Sequence, residues 1–568
     1  MIRGLHGCVS SSHYLATVAG FEIMLAGGNA VDAAIATGLA LHVVEPHMNG
    51  IGGECPVILH SAESGNTYAI SGQGTAPKAA TVDYFRKEKI DIIPGDGFLP
   101  ATVPASFDVW ITCLGRFGTM TLGQVIQPAS RLAERGFPVY PTLHHAIRQN
   151  SERFLSEWPT TAEIFLPAGR VPEIGQVLKQ EQLARTFRAL AEAEALSGGD
   201  RARGLQAARD LFYKGMLARR IVEYASTHAL RDASMKKHTA LLTLEDFAEH
   251  QTRIEETVSV EYEGLTVHKC GPWSQGPVFL QQLQILAEYD LKAFGHNSAD
   301  YIHVITEASK LAFADRERFY GDPLFTEVPL GMLLSRDYAR TRKRLIKMRK
   351  ASLTLRAGDG FDIPMHRKGI RTRRGDTTHL DTVDEAGNMV TATPSGGWFW
   401  GSPVIDRLGF PLGTRGEMFS LEPGHPNCIA PKKRPRTTLS PTLVTLDSRP
   451  LMAFGTPGGD QQDQWTLQFF LNHVHFGMNL QAAIDAPTFH TTHFPSSFYP
   501  RDASPGSLHL ESRIPLRTRV ELKRRGHKIV VERPWSNGRV TAVHYDSQNR
   551  VVSAAASSRY QTPYALGL

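Results

Sequence analysis

The residue with the clearest potential for chemistry is a threonine in the run Gly375-Asp376-Thr377-Thr378-His379. A threonine hydroxyl is a poor nucleophile unless a base lies beside it. Cleavage of the chain just before Thr377 would supply that base, because the freed α-amino group would lie next to the hydroxyl of the same residue. The residues therefore favour cleavage between Asp376 and Thr377, and they predict a self-processing amidohydrolase.

Other short motifs are weak when each is taken alone. A pair such as Gly458-Gly459 is usually a turn. The segment 49–53 is rich in glycine but lacks the lysine and the spacing of a phosphate loop. The run 490–493 contains two histidines but no third ligand nearby, so we predict no metal site.

The elements that must position Thr377 change character along the chain. Apolar residues at helical spacing predict two helices within 11–44, joined by a turn at Gly27-Gly28-Asn29. Further helices are predicted at 180–195, 203–228, 244–249, 281–289 and 299–319. Strands are predicted at 57–59, 67–70, 258–262 and 265–269, and then at 380–383, 389–393, 441–446, 451–454 and 540–544.

Helices before position 377 and strands after it must share one core. This arrangement predicts an α+β fold, a four-layer αββα sandwich. Residues 351–376 contain several glycines and many charges, and they are expected to form an exposed linker that ends at the cleavage point. We therefore expect a large fragment, 1–376, and a small fragment, 377–568, that together form one unit.

Composition excludes several classes of protein. The formal charge of +6 is small for 568 residues, and its basic segments (342–350, 367–374 and 432–436) are expected to be solvated faces or exposed loops. Because no aromatic residues are interleaved with them, nucleic acid is not a predicted partner. No run of 18 apolar residues occurs, so no membrane span is predicted. Five scattered cysteines and the absence of a signal-peptide pattern favour reduced thiols and a cytoplasmic location.

Several blocks, taken together and in order, resemble the γ-glutamyltranspeptidase family. They are Gly27 to Ala33, Glu45 to Gly53, Thr377 to His379 with Asp384 and Gly387-Asn388, Arg434 to Thr442, and Gly455 to Gly459. The resemblance implies an N-terminal nucleophile hydrolase fold, made as a proenzyme and cleaved into a large and a small subunit.

The resemblance also implies roles for individual residues. The Thr377 hydroxyl would attack the carbonyl of Asp376 during processing, and the new α-amino group would then serve as the base. The backbone N–H groups of Gly458 and Gly459 would hold the oxyanion, and Ser395 would be the second hydroxyl residue that hydrogen-bonds the nucleophile. No cofactor is needed for this chemistry.

The chain differs from the family at the positions whose side chains bind the charged groups of the glutamate substrate. Gln73 stands where the family has an arginine, Met418 where it has an aspartate, and Gly397 where it has an asparagine. The family's serine pair becomes Thr437-Thr438. These departures predict weak recognition of a free γ-glutamyl group.

In place of these groups the chain offers the aromatic run Trp398 to Trp400 and the arginines Arg415 and Arg436. An aromatic wall with one guanidinium would suit an acyl group with a single carboxylate, such as a glutaryl or oxamate-like group. The alternative is that the tryptophans pack in the core and the arginines lie on the surface.

Three functional alternatives stay open at this stage. The segments 395–398 and 409–416 resemble the branch that includes cephalosporin acylases, which favours a glutaryl or cephalosporin acylase-type hydrolase. A genuine γ-glutamyl transferase with a different arginine, or an unprocessed inactive homologue that acts as a binding protein, would also fit. The predicted partners are a small-molecule amide, the two fragments of one precursor and, as a further possibility, a second processed copy.

Overall fold

The structure of this chain is a computed structural model that describes residues 1–366 and 377–568. Its α-helices in these ranges are α1 (Tyr14–Leu25), α2 (Ala30–Val44), α3 (Val82–Lys87), α4 (Ser106–Phe117), α5 (Leu122–Arg135), α6 (Pro141–Glu157), α7 (Pro159–Phe165), α8 (Glu181–Leu196), α9 (Arg201–Tyr213), α10 (Met216–Thr227), α11 (Leu244–Glu249), α12 (Gly276–Leu286), α13 (Leu291–Phe294), α14 (Ala299–Phe319), α15 (Leu330–Leu333), α16 (Arg336–Lys343), α17 (Gln462–Phe476), α18 (Leu480–Asp485) and α19 (Leu516–Arg524). Short 3₁₀ helices lie at Pro167–Gly169, Arg415–Met418 and Gly459–Gln461.

The β-strands in the same ranges are β1 (Ile2–Gly4), β2 (Gly7–Ser11), β3 (Val57–Ser61), β4 (Asn66–Ile70), β5 (Phe137–Pro138), β6 (Val177–Leu178), β7 (Leu230–Arg231), β8 (Lys237–His238), β9 (Ile254–Glu256), β10 (Val258–Tyr262), β11 (Leu265–Lys269), β12 (Leu380–Asp384), β13 (Met389–Ala392), β14 (Thr442–Leu446), β15 (Arg449–Gly455), β16 (Phe489–His490), β17 (Ser507–Glu511), β18 (Lys528–Glu532), β19 (Thr541–Asp546), β20 (Val551–Ala556) and β21 (Tyr564–Gly567).

Two seven-stranded antiparallel sheets dominate the architecture. The first sheet has the order β21-β2-β12-β13-β3-β4-β9, and the second has the order β1-β20-β19-β15-β14-β11-β10. Strand β12 follows Thr377 and lies inside the first sheet, where Leu380 pairs with Ser11 of β2 and with Ala392 of β13. The start of the proposed small fragment is therefore held between strands on both sides.

Each sheet contacts the other sheet and a set of helices. Strands β12 and β13 contact β15 of the second sheet, while α2 contacts β12 and β13, and α12 contacts β10 and β11. A small apolar cluster that includes Ile58, Val383, Leu443 and Val543 fills the space between strands of the two sheets. The predicted mixture of helices and sheets is confirmed, and the structure shows that both large sheets are antiparallel.

The predicted helix pair near the N-terminus is present as α1 and α2. Gly27 has a φ of 90° in the intervening turn, and the Asn29 side chain caps α2 by accepting bonds from the N–H groups of Val31 and Asp32. The expectation was wrong at its first residue, because Ser11 belongs to strand β2. The single helix expected over 203–228 is also wrong, since the non-helical backbone at Gly215 separates α9 from α10.

The basic segment 432–436 contradicts the expectation of a solvated face. Lys433, Arg434 and Arg436 are all buried. Arg434 forms ion pairs with Asp322 (2.8 Å) and Glu255 (2.6 Å), and Arg436 forms one with Glu317 (2.9 Å). Burial is tolerated because acidic partners from distant parts of the chain neutralise these arginines.

The expected linker is partly packed where the structure describes it. Ala351, Leu355 and Ala357 are buried, whereas most other described residues of this segment, such as Leu353 and Phe361, are exposed. The remaining residues, 367–376, lie outside the described residues, and Asp376 with its peptide bond to Thr377 is among them. Among the residues described, the chain contains no helix with the length and apolar character needed to cross a membrane.

Candidate active site

Thr377 lies immediately before β12 and is buried, with 1% of its surface exposed. It forms an antiparallel bridge with Ser395, which lies just beyond the end of β13. Its neighbour Thr378 donates its N–H to the Pro394 carbonyl (3.0 Å) and its hydroxyl to Glu45 (2.5 Å). The first bond fixes the backbone next to Thr377 against the segment that follows β13, and the second fixes it against the C-terminal end of α2.

Ser395 is the hydroxyl residue that contacts the proposed nucleophile. Its Oγ lies 3.2 Å from the Oγ1 of Thr377. The backbone of Ser395 exchanges two hydrogen bonds with Glu54, each 2.9 Å long. Its Oγ also accepts a hydrogen bond from Nη2 of Arg415 at 2.7 Å.

The hydrogen bond from Arg415 orients the hydroxyl of Ser395. A guanidinium can only donate, so the Ser395 oxygen acts as an acceptor towards Arg415. The Ser395 hydroxyl can then act as the donor in its hydrogen bond with Thr377 Oγ1. In that arrangement Thr377 Oγ1 accepts a bond, which would stabilise the negative charge that develops when the oxygen is deprotonated.

Arg415 is itself positioned by Glu54. Its Nε donates to Glu54 Oε1 at 2.5 Å, and both side chains are fully buried. Burial raises the pKa of Glu54, and the adjacent Arg415 guanidinium opposes this rise. Arg415 also lies over the Trp398 ring, with its Cζ 5.1 Å from the ring centroid. The alternative that Arg415 lies on the surface is therefore wrong.

The loop after Ser395 requires glycine. Gly396 and Gly397 have φ values of 69° and 60°, which other residues rarely adopt. A Cβ at Gly396 would lie 2.5 Å from Glu54 Oε2, and one at Gly53 would lie 2.5 Å from the carbonyl carbon of Gly396. The glycine-rich segment around Gly53 and the loop after Ser395 thus pack backbone against backbone beside the ion pair.

Gly458 and Gly459, the predicted oxyanion donors, lie between β15 and α17. Their φ values are 133° and 58°. A Cβ at Gly459 would lie 2.7 Å from the Phe498 ring, and the same ring lies 5.9 Å from Cζ of Arg415. Phe498 therefore connects the glycine pair to the Arg415 side of the site.

The remaining predicted substrate-binding residues lie on other elements. Gln73 is buried beside a cavity of about 160 Å³ that Asp322 and Arg434 also line. Within the described part of the chain, neither amide atom of Gln73 has a hydrogen-bond partner. Thr437 and Thr438 are buried as well, and the backbone of Thr437 is hydrogen-bonded to Trp273 and Gln275, which precede α12. Gly397, Trp398 and Arg415 are the predicted substrate residues that the fold brings to Ser395.

The sequence analysis missed two carboxylates that hold the site together, Glu45 and Glu54. Glu45 is the first residue of the block 45–53, which carries part of the family resemblance, and Glu54 directly follows this block. An acidic residue in or beside a glycine-rich run was the available signal. Their partners could not be inferred, because Thr378 and Arg415 are more than 300 residues away.

The histidines of the run 490–493 form no three-ligand cluster among the described residues. A cluster of that kind occurs elsewhere and consists of His303, Glu307 and His527. His303 and His527 are hydrogen-bonded to each other at 2.8 Å, and Lys310 donates to Glu307 at 2.6 Å. Each of the three side chains therefore already has a hydrogen-bond partner.

Comparisons with known proteins agree with this arrangement. The sequence profile described as Gamma-glutamyltranspeptidase matches residues 16–566. The chain is 30% identical to a glutathione hydrolase proenzyme of Bacillus subtilis (strain 168), with 98% of this chain and 90% of the relative covered. It is 32% identical to the Acylase ACY 1 proenzyme of Pseudomonas sp. (strain SE83), with 99% and 94% covered.

Solved structures extend the likeness to the fold. The structure of cephalosporin acylase from Bacillus halodurans superposes with a TM-score of 0.85 at 30% identity, and covers 100% of this chain and 96% of that one. The structure of LmbA2991HD superposes with a TM-score of 0.95 at 43% identity, with 100% and 99% covered. On the profile match, these similarities and the ordered motifs, the chain belongs to the γ-glutamyltranspeptidase family of self-processing amidohydrolases and acyltransferases.

Proposed function

We propose that Thr377 is the nucleophile of a self-processing amide hydrolase and that Ser395, Arg415 and Glu54 position its hydroxyl. The hydrogen bond of 3.2 Å between the hydroxyls of Thr377 and Ser395 is the observation that carries this proposal. This bond links Thr377, the residue that the sequence singles out, to Ser395, which is in turn hydrogen-bonded to the buried pair of Arg415 and Glu54.

Processing would begin in the intact chain. The Thr377 hydroxyl attacks the carbonyl carbon of Asp376, and the peptide bond to the Thr377 nitrogen breaks as an ester to its oxygen forms. Water then hydrolyses the ester, which leaves a carboxylate on Asp376 and a free amino group and hydroxyl on Thr377. The large and small fragments remain parts of one folded unit.

Catalysis would use the amino group that processing creates. An unperturbed α-amino group has a pKa of about 7.7–8, so a useful fraction is neutral at neutral pH. This group takes the proton of the Thr377 hydroxyl, and the oxygen attacks the substrate carbonyl. The N–H groups of Gly458 and Gly459 stabilise the oxyanion, with about 3 kcal/mol from one such donor. The amine leaves with the proton, and water or another amine releases the acyl group.

The acyl side of the substrate would lie against Arg415, Trp398 and Met418. Met418 stands where the family has the aspartate that binds an α-amino group, and its sulfur accepts from Arg415 at 3.7 Å. A thioether cannot neutralise an ammonium group. This contact supports an acyl group without an α-amino substituent, such as glutaryl, as the preferred substrate, with γ-glutamyl amides as the second candidate.

We also propose that the layers form the four-layer αββα sandwich expected from the sequence. Contacts of α2 with the first sheet, of β12 and β13 with β15, and of α12 with the second sheet support this order. A homodimer of processed units stays a prediction.

The test begins with the purified chain. Denaturing mass spectrometry with N-terminal sequencing should find a small fragment that starts at Thr377, and Thr377→Ala should remain one intact chain. The processed enzyme is then assayed with a glutaryl anilide and a γ-glutamyl anilide, which differ only in the α-amino group. A wild-type chain that never cleaves would overturn the proposal and favour a binding protein, and hydrolysis by Thr377→Ala would refute the nucleophile.

A further inference from the structure

The outward face of α19 combines exposed aliphatic side chains with a cation. Leu516, Val520 and Lys523 are spaced three or four residues apart, so they lie on one face of the helix. Leu516 is 66% exposed and Val520 is 41% exposed. Thr518 and Leu522 lie on the opposite face and are buried. The helix is therefore anchored by one face and presents an aliphatic pair to the outside on the other.

The segment 347–353 continues this region. The N–H group of Ala351 donates to the Arg525 carbonyl at 2.7 Å, and Arg525 Nη1 donates to the Met348 carbonyl at 3.0 Å. Arg525 directly follows the last residue of α19. These bonds therefore hold the segment against the C-terminal end of the helix.

A third exposed aliphatic side chain, Leu353, lies at the end of this segment. It is 52% exposed. A Cβ added at Gly506 would lie 2.7 Å from Leu353 Cδ2 and 3.7 Å from Lys528 Cγ, so the side chains of Leu353 and Lys528 are neighbours. We call the exposed residues of α19, of the segment 347–353 and of Lys528 together the α19 surface.

The α19 surface carries an excess of positive charge. Two carboxylates beside it, Glu521 and Asp300, already bind Arg525 at 3.2 Å and 2.7 Å. Six exposed cations of the surface have no carboxylate partner within the part of the chain that the structure describes. They are Lys347, Arg349, Lys350, Arg517, Lys523 and Lys528. Cations gathered in one area attract an anionic partner.

The exposed side chains decide which kind of anionic partner fits. Single-stranded nucleic acid is bound by cations together with aromatic rings that stack on the bases, whereas Leu516, Val520 and Leu353 are aliphatic. A second copy of this chain on a twofold axis would place the cations opposite their own equivalents, and like charges repel. A bilayer with anionic lipids offers phosphates to the cations and an apolar layer to the aliphatic side chains.

We propose that the α19 surface binds peripherally to a membrane that contains anionic lipids. Leu516 and Val520 enter the headgroup region, and the lysines beside them contact the lipid phosphates. Dissolved salt weakens this binding because it screens the charges. The proposal is independent of the proposed function, since none of these residues belongs to the candidate active site.

The test is co-sedimentation of the full chain with vesicles of phosphatidylcholine alone and with vesicles in which about a third of the lipid is phosphatidylglycerol. We expect roughly tenfold or tighter binding to the anionic vesicles, and weaker binding as the NaCl concentration rises. One cation near an anionic membrane contributes about fivefold in affinity. The double variant Lys350→Gln/Lys523→Gln should therefore bind roughly 25-fold more weakly.

The matched control for charge is Lys87→Gln/Lys237→Gln. It removes the same charge from exposed lysines in α3 and β8 and should bind as the wild type does. Equal binding of the wild type to the two kinds of vesicle would overturn the proposal. So would an equal loss of binding in the two double variants, with melting curves showing that both are folded.

The aliphatic pair is tested by Leu516→Gln/Val520→Thr, which should weaken binding to the anionic vesicles roughly fivefold or more. Its control is Leu196→Gln/Val18→Thr, at exposed positions of α8 and α1, which should bind as the wild type does. If the two variants bind alike, the insertion of Leu516 and Val520 is refuted.

A fluorescent single-stranded oligonucleotide distinguishes the membrane from nucleic acid. We expect it to bind the wild type more weakly than the anionic vesicles do. A wild type that binds the oligonucleotide but not the vesicles, and that loses this binding in Lys350→Gln/Lys523→Gln, would assign the α19 surface to nucleic acid and overturn the proposal.

Discussion

Arg415 acts on the proposed nucleophile through Ser395, and this role can be tested at a single atom. Arg415→Lys keeps a cation beside Glu54 but loses the bond to Ser395 Oγ. A hydrogen bond to a charged group contributes about 1.5–3 kcal/mol, so we expect kcat to fall by roughly 10–100-fold with little change in KM. Steady-state kinetics of the processed enzyme is the measurement.

A matched variant is available for this prediction. Arg436→Lys makes the same change at another buried arginine, which pairs with Glu317 rather than with Ser395. It should lower the melting temperature to a similar extent and leave kcat close to wild type. Equal loss of kcat in both variants would show that Arg415 contributes only to stability.

Glu417 predicts a pH dependence of stability. Burial raises the pKa of Glu417 from 4.5 to about 8. Between these values the folded protein keeps a proton that the unfolded chain has lost, so the free energy of unfolding falls as pH rises, by at most about 1.4 kcal/mol per pH unit. Glu417→Gln should therefore gain stability relative to wild type as the pH increases from 5 to 8.

Urea titrations of both proteins at pH 5 and pH 8 measure this difference. The exposed Glu422 offers a comparison, because Glu422→Gln should show the pH dependence of the wild type. A Glu417→Gln difference that is the same at both pH values would contradict the assigned direction.

At the scale of elements, the loop after β13 depends on glycine for space as well as for conformation. Gly396→Ala would place a Cβ 2.5 Å from Glu54 Oε2 at a φ of 69°. We expect it to displace the ion pair, to slow the appearance of the small fragment and to lower the melting temperature. The time course of cleavage by gel electrophoresis is the readout.

Gly264→Ala separates the two effects. Gly264, in the turn between β10 and β11, has a φ of 79° and no atom within 4 Å of an added Cβ. This variant should show only the cost of the backbone conformation, about 1 kcal/mol, and should cleave as the wild type does. Equal cleavage by both variants would mean that the contact with Glu54 is unimportant for processing.

At the scale of the whole molecule, the two fragments are interleaved in both sheets. Strand β2 of the large fragment pairs with β12 and β21 of the small one, and β14 of the small fragment pairs with β11 of the large one. Cleavage at Thr377 would leave all these strand pairs in place. We expect the fragments to elute together from gel filtration without denaturant and to separate only in denaturant. Separation under native conditions would contradict this architecture.

The cytoplasmic location stays a prediction.

The amino-acid sequence by itself determined what depends on neighbouring residues. The nucleophile and its future base belong to one residue, Thr377, so their proximity needs no knowledge of the fold. The turn at Gly27 to Asn29 and the first two strands after Thr377, β12 and β13, are also local, and they were predicted to within one residue. The ordered blocks identified the family without any structure.

The tertiary structure alone decided which charges are buried and what partners they have. Glu54 and Arg415 are separated by 361 residues, and the sequence could not show that they form an ion pair beside Ser395. The same holds for the segment 432–436, which was expected at the surface and in which Lys433, Arg434 and Arg436 are buried. Desolvation and hydrogen bonding depend on which distant elements meet, and that is a property of the packed molecule rather than of any segment of it.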